Sequence, residues 1–422
     1  MDIRYKKVLE LIKGSGVILL FKIAGAASMF FVNIVIAKGY GASALGIYSI
    51  LLTIIYILDM IVKMGLDILV LRVIPTLGDR EKIGAFIVKV FIRLFISSVL
   101  IFIIFLFIKS YLSALVFTDF DGENALLIIS ALIFPYSLYS VIPDIIRGLN
   151  DIFQYSLIRN LIFQLALLSS IATYVYFEFS NFLEPLFISI AISCFIAIII
   201  FWSKLKQKKI NLNFKQYNGK ILKKSYNMFF TSSILLLMGN TDQLMIGYFI
   251  DESYVGYYTA CLKVGIAITF ILSSVSSYIT PQISKAFYNK NFTELKSVYI
   301  NSNRLIWFSS IPVIIILFLF SEYILSLFGN DFTNHLNTFY IILLMNCANI
   351  FFGPLLYILN MMDQEKYVRN VLLVSLLINI GINIILIPKI GIMGAAIATL
   401  ISTFLWKLSL YRRMTKVLKN ND

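Results

Sequence analysis

The chain has 422 residues, 59% of them hydrophobic and only 14% charged, with a mean hydropathy of +0.88. A soluble domain is roughly half apolar and roughly a quarter charged, so this balance excludes a water-solvated globule. The formal charge of +14 does not mark a nucleic-acid binder, because Lys and Arg fall in short stretches between apolar runs of membrane-spanning length.

The opening segment, MDIRYKKVLELIKGSGVILLFKIAG, is basic and then apolar. Its apolar run is too long for a signal-peptide core and has no small-x-small cleavage site, so it is expected to stay as a first span. Twelve apolar runs follow one another along the chain, at about 14–37, 44–66, 83–108, 124–147, 155–177, 184–203, 226–249, 254–284, 299–320, 335–359, 366–387 and 391–410. Each is long enough to cross a bilayer as a helix that pairs its own backbone groups. The fold class expected is therefore an all-α integral membrane protein with about 12 transmembrane helices.

Orientation follows from the cations. Arg4, Lys6, Lys7 and Lys13, the even-to-odd loops, and Lys407, Arg412, Arg413, Lys416 and Lys419 lie on one face, against Lys38, Lys109 and Lys389 on the other. The positive-inside rule then puts both termini in the cytoplasm. The acidic segments around Asp121, Glu178 and Asp251 fall on the opposite side.

The longest connection, at about 204–225, is basic and central. It reads as a linker at the anionic membrane surface, between an N-terminal six-helix lobe (1–203) and a C-terminal one (226–422). An offset of 210 residues supports two related halves: Leu45, Gly46, Tyr48 and Ser49 match Val255, Gly256, Tyr258 and Thr259. At the same offset Leu149, Asn150, Arg159 and Asn160 match Leu359, Asn360, Arg369 and Asn370. Six spans per half make these parallel repeats, an architecture of secondary transporters.

An ionisable group inside a bilayer costs several kcal/mol and is expected to face a wet cavity or a partner. Lys22 in the first span, Asp59 in the second, Asp242 in the seventh and Lys263 in the eighth are the first candidates for a cavity lining. Lys89 and Arg93, on one face early in the third span, can either snorkel to the headgroups or line the same cavity. If Lys22 and Lys263 face one cavity, it favours an anion such as phosphate. Asp59 and Asp242 are then their counter-ions, or groups that couple transport to protons or sodium.

Asn33, Asn240 and Gln243 fit helix-to-helix hydrogen bonding, and Pro135, Pro143, Pro281, Pro312 and Pro354 fit tolerated kinks or hinges. His335 sits at an outer mouth, and Cys194, Cys261 and Cys347 read as small buried hydrophobes. No metal-spaced His or Cys cluster, Walker loop, nucleophile elbow or dinucleotide fingerprint occurs. No catalytic or metal-ligating residue is assigned and no cofactor is expected beyond an H+ or Na+ coupling ion. The outer loops are too short to hold the catalytic residues of a membrane polysaccharide polymerase.

The segment IAKGYGASALGIYSILLTIIYILDMIVKMGLDILVLRVIP resembles bacterial Wzx-like polysaccharide flippases of the multidrug/oligosaccharidyl-lipid/polysaccharide exporter superfamily. GNTDQLMIGYFIDESYVGYYTACLKVG, SSYITPQISKAFYNKNFTELK and LIPKIGIMGAAIATLIS are similar to the same family, in its order and spacing. The resemblance implies a V-shaped, MATE-like bundle of two parallel six-helix lobes in a bacterial cytoplasmic membrane. It would flip an undecaprenyl-diphosphate-linked O-antigen or capsular repeat unit by alternating access. Lys22 and Lys263 then hold the diphosphate or sugar acids, and the partners implied are membrane lipids, a polymerase and a chain-length regulator. A MATE-type multidrug antiporter is the alternative.

Overall fold

The computed structural model describes residues 3–213 and 221–419, and among them there is no strand. The helices are α1 (Ile3–Lys63), α2 (Leu66–Val73), α3 (Arg80–Val116), α4 (Glu123–Gly148), α5 (Ile152–Leu157), α6 (Phe163–Tyr176), α7 (Glu184–Lys208), α8 (Ile221–Phe249), α9 (Glu252–Tyr288), α10 (Phe292–Leu319), α11 (Ser321–Ser326), α12 (Leu336–Phe351), α13 (Leu355–Met361), α14 (Glu365–Ile390) and α15 (Ile392–Lys419).

Ten helical stretches among the described residues are long and apolar enough to cross a membrane. The first of them is broken at Gly41, where φ is 90° and ψ 178°, a conformation that a side chain at this position would oppose. That break divides the long α1 into two helical stretches. Large apolar side chains point outward along these helices: Phe107 of α3 is 83% exposed and Leu319 of α10 is 69% exposed. Water would penalise such surfaces and lipid does not, so this is a multi-pass membrane protein. Some hydroxyls inside the spans are satisfied within their own helix, as where Ser49 donates to the Leu45 carbonyl at 2.7 Å.

The sixth span runs past its expected end to Lys208, so the basic connection begins as helix. Its residues 214–220 lie outside the described ones.

The chain forms two compact units: Met1–Tyr40 with Leu51–Ser233, and Gly41–Ile50 with Ile234–Asp422. In the first, α4 packs on both α3 and α7, and α7 also packs on α6. Gly25 brings α1 against the fifth span, where an added Cβ would lie 1.7 Å from the Asn160 carbonyl oxygen. The turn after α4 is tied to the end of α7: Lys204 Nζ donates to Asp151 Oδ2 at 2.5 Å and to Gln207 Oε1 at 2.8 Å. Asp151 also caps α5 by accepting from Gln154 N at 3.1 Å.

Burial works to raise the Asp151 pKa, but the Lys204 bond and the cap outweigh it and hold the carboxyl below its usual value. A depressed folded-state pKa stabilises above the unfolded value, about 4, and that stability is lost as pH falls through the folded value. Thermal unfolding of the purified protein in detergent should therefore show a drop in melting temperature below about pH 4 that Asp151→Asn lacks. Equal acid sensitivity in the two proteins would refute the clamp.

In the second unit, Leu295, Leu355, Leu359, Met362, Val368 and Leu372 are fully buried in one apolar core. Two glycines of the 210-residue offset meet within this unit. A Cβ on Gly46 would lie 1.7 Å from the Glu252 carbonyl oxygen, and one on Gly256 would lie 2.0 Å from the Ala42 carbonyl oxygen. Ala42 and Glu252 are themselves 210 residues apart, so repeat-related positions exchange the same contact, and two small residues let the backbones approach.

The tenth span is not one helix, because it breaks at Gly353 (φ 67°) before Pro354. Carbonyls freed by a break in lipid need donors. Tyr299 donates its hydroxyl to Phe352 O at 3.3 Å, Asn303 Nδ2 donates to Phe351 O at 3.2 Å, and Lys407 Nζ donates to Gly353 O at 3.0 Å.

Candidate functional site

A polar cluster interrupts the apolar interior of each unit. In the first, Asp59 and Lys63 are one helical turn apart on α1 and form an ion pair of 2.6 Å, with Asp67 of α2 at 3.9 Å from the same ammonium. Ser140 of α4 donates to Asp59 Oδ1 at 3.0 Å. Pro143 removes one backbone donor from that turn of α4. Arg159 then donates from Nη1 to the Ser140 carbonyl at 2.9 Å and lies 3.5 Å from Asp144 Oδ2. Arg159 reaches α4 from a π-helical turn, Ile158–Ile162, that the Tyr139 hydroxyl braces by donating to Ile158 O at 2.6 Å.

In the second unit, Asp242 of α8 is only 5% exposed. Tyr258 of α9 donates to its Oδ2 at 2.7 Å, Asn383 Nδ2 of α14 donates to its Oδ1 at 2.8 Å, and the Thr399 hydroxyl of α15 donates to Oδ2. Asn379 extends the network, donating from Nδ2 to Thr399 Oγ1 at 3.1 Å and accepting from Asn383 at 3.2 Å. Every partner of Asp242 is neutral. The side-chain carbonyl oxygen of Asn383, buried beside it, has no donor among the described residues.

A carboxylate in an apolar interior that no cation neutralises is stable there only with a proton or a bound cation. Carboxylate, amide carbonyl and hydroxyl oxygens are the ligand types that suit either a proton or a hard cation. Among the described residues no group of three or more His, Cys, Asp or Glu could hold a metal ion.

The candidates from the sequence are thus sorted by their surroundings. Asp59 and Asp242 are buried in clusters, but neither serves as counter-ion to Lys22 or Lys263. The cation of Asp59 is Lys63, because a lysine one turn along the same helix reaches it first, and Asp242 has neutral donors only. Lys22 is half-buried on α1. Lys263 is partly exposed on α9 with no hydrogen bond or ion pair among the described residues. Lys89 is exposed, and Arg93 is half-buried with Nη2 at 3.4 Å from Met64 Sδ. Gln243 lies 3.4 Å from Thr259 Oγ1, within the second unit.

Asp144, Arg159, Tyr258, Asn379, Asn383 and Thr399 join these clusters, and Lys407 reaches the break at Gly353, only in three dimensions. A signal existed for the Asn pair, two amides four residues apart inside one apolar span. Lys407, only 2% exposed, looked like part of the cytoplasmic tail.

Membrane-spanning helices with a buried polar cluster in each unit define a polytopic integral membrane protein. Residues 41–336 match the family described as polysaccharide biosynthesis protein, and the chain belongs to that family. It is 32% identical over 168 residues to the Haloferax volcanii protein named "Probable low-salt glycan biosynthesis flippase Agl15", an alignment covering 38% of this chain and 34% of that one. The chain thus aligns with about a third of the length of that curated relative.

Its fold is shared with an inward-facing multidrug resistance MATE family transporter of the MOP superfamily (TM-score 0.75, 15% identity, 95% of this chain and 96% of the other). It is shared equally with the lipid II flippase MurJ in an inward closed conformation (TM-score 0.75, 16% identity, 94% of this chain and 87% of the other).

Proposed function

We propose that the protein flips a polyprenyl-diphosphate-linked oligosaccharide across the cytoplasmic membrane by alternating access between its two six-helix halves. The observation that carries this reading is the match to a polysaccharide biosynthesis family over residues 41–336, on a fold shared with transporters. The finer substrate, a bacterial undecaprenyl-linked O-antigen or capsular repeat unit, rests on the sequence resemblance. So do cytoplasmic termini, a polymerase and a chain-length regulator as partners.

Lys22 and Lys263 supply positive charge for the diphosphate, with Lys89 and Arg93 as further candidates. Phosphate is bound well by ammonium groups acting as point charges. Lys263 supports the assignment, since no described carboxylate neutralises it. Asp242 is the coupling group, taking a proton or a sodium ion, and the neutral donors around it support that role. Asp59 is paired with Lys63 one turn along the same helix, so Asp242 is the better candidate for that role.

Replacing Lys22 or Lys263 by Ala should abolish surface polysaccharide while leaving the membrane level of the protein unchanged. Normal polysaccharide in both variants would sink the cationic-cavity reading. Raised sensitivity to cationic dyes on deletion, with polysaccharide intact, would favour a multidrug antiporter instead.

A further inference from the structure

The basic end of the first unit contains a cavity that the transport reading does not use. Its volume is about 390 Å3, and it is lined by the end of α4 with the turn after it (Gly148, Asn150), by Pro75, by Arg80 at the start of α3 and by the end of α7 (Gln207, Lys208, Lys209). The walls are fixed by packing. A Cβ on Gly148 would lie 3.1 Å from Ile74 Cβ, and Ile210 behind the lysines is buried. Asn213 Nδ2 donates to Glu81 O at 3.0 Å, which ties the chain after α7 across the first turn of α3.

The charge of this cavity is one-sided. Arg80, Lys208 and Lys209 are exposed, and no carboxylate lines it among the described residues. Two neighbouring carboxylates are already engaged: Asp79 accepts from Glu81 N at 2.9 Å, and Asp151 accepts from Lys204. Glu81 follows Arg80 on α3 and is not part of the lining. Three cations held around one concavity repel each other, and an anion there would relieve that repulsion. Gln207 and Asn150 add amide donors suited to phosphate oxygens.

We propose that this cavity is a phosphate-binding site for the headgroup of an anionic membrane lipid, separate from the transport pathway. A basic pocket between helices at an anionic leaflet takes this class of ligand. Its placement at the cytoplasmic surface rests on the orientation adopted under the proposed function; its chemistry does not.

The test is binding of fluorescent phosphatidylglycerol and phosphatidylcholine to the purified full-length protein in neutral detergent, with pyrophosphate as competitor. Phosphatidylglycerol should be preferred, and the combined variant Arg80→Gln, Lys208→Gln, Lys209→Gln should weaken it at least about tenfold. Lys206→Gln, an exposed cation on the same helix end that does not line the cavity, should leave it unchanged. Displacement by pyrophosphate shows that a free phosphate group suffices. Undisturbed phosphatidylglycerol binding assigns the site to the lipid-anchored headgroup.

No preference for phosphatidylglycerol, or undiminished binding by the combined variant, overturns the proposal. Should the combined variant fail to fold, Lys208→Gln alone, on an exposed side chain, carries the comparison. Because binding is read without transport, intact binding in a protein that moves no lipid-linked glycan would count against the proposed function alone.

Discussion

Asp242→Asn is expected to reduce delivery of surface polysaccharide at least about 100-fold, equivalent to about 2.7 kcal/mol, with the protein still at its normal level in the membrane. Asparagine has the shape of aspartate and can still accept from Tyr258 and Thr399, the donors to Oδ2 in the native protein. Packing is therefore kept while the ionisable carboxylate is lost.

Asp242→Ala should behave differently. It strips the acceptor from Tyr258, Asn383 and Thr399 at once, and each donor left buried and unpaired costs about 1–3 kcal/mol. The Ala variant should thus be poorly folded as well as inactive, and the contrast separates coupling from packing. Transport by the Asn variant at the native rate, in cells with an intact ion gradient, would end the assignment of Asp242 as coupling group. Collapsing the proton and sodium gradients separately in the native protein then identifies the ion.

Gly46→Val should remove most of the folded protein from the membrane. Its Cβ would fall 1.7 Å from the carbonyl oxygen and 2.6 Å from the carbonyl carbon of Glu252. Both are backbone atoms of a helix, which cannot swing aside as a side chain could. Overpacking ordinarily costs about 1–3 kcal/mol, and a backbone collision of this kind should exceed that range. Gly256→Val should do the same from the other side, against Ala42 O. The control is Gly381→Ala, where nothing lies within 4 Å of the added atom. Fluorescence-detected size exclusion of tagged variants reads the outcome, and a normal monodisperse peak for Gly46→Val would show that the close approach is not needed.

These two sites differ in how far the sequence revealed them. Asp242 was visible because one carboxylate in an apolar run is expensive wherever the run lies in lipid. Its partners were not, since Tyr258, Asn383 and Thr399 come from three other helices and no local pattern links them. Gly46 and Gly256 were legible as a repeat, yet the repeat gave no hint that the two positions touch.

Lys22 and Lys263 stood out by depth, and Lys407 was missed by the same measure. Its ammonium is held inside by the broken helix at Gly353, a feature that only the packed tenth span reveals. For Asp59 and Arg159 the decisive facts were likewise three-dimensional. A lysine one turn away neutralises Asp59, and a π-helical turn aims Arg159 at the segment around Pro143.

The sequence by itself determined the solvent and the helical class. Each of these follows from composition and from a spacing of about 20 apolar residues, which are local quantities that lipid reads directly. Only the tertiary structure decided which buried charges are neutralised. The energy of an ion in a bilayer depends on the atoms within a few ångströms of it, and helices distant in sequence supply them. Asp59 is therefore paired with Lys63 on its own helix, while Asp242 is surrounded by neutral donors from three other helices.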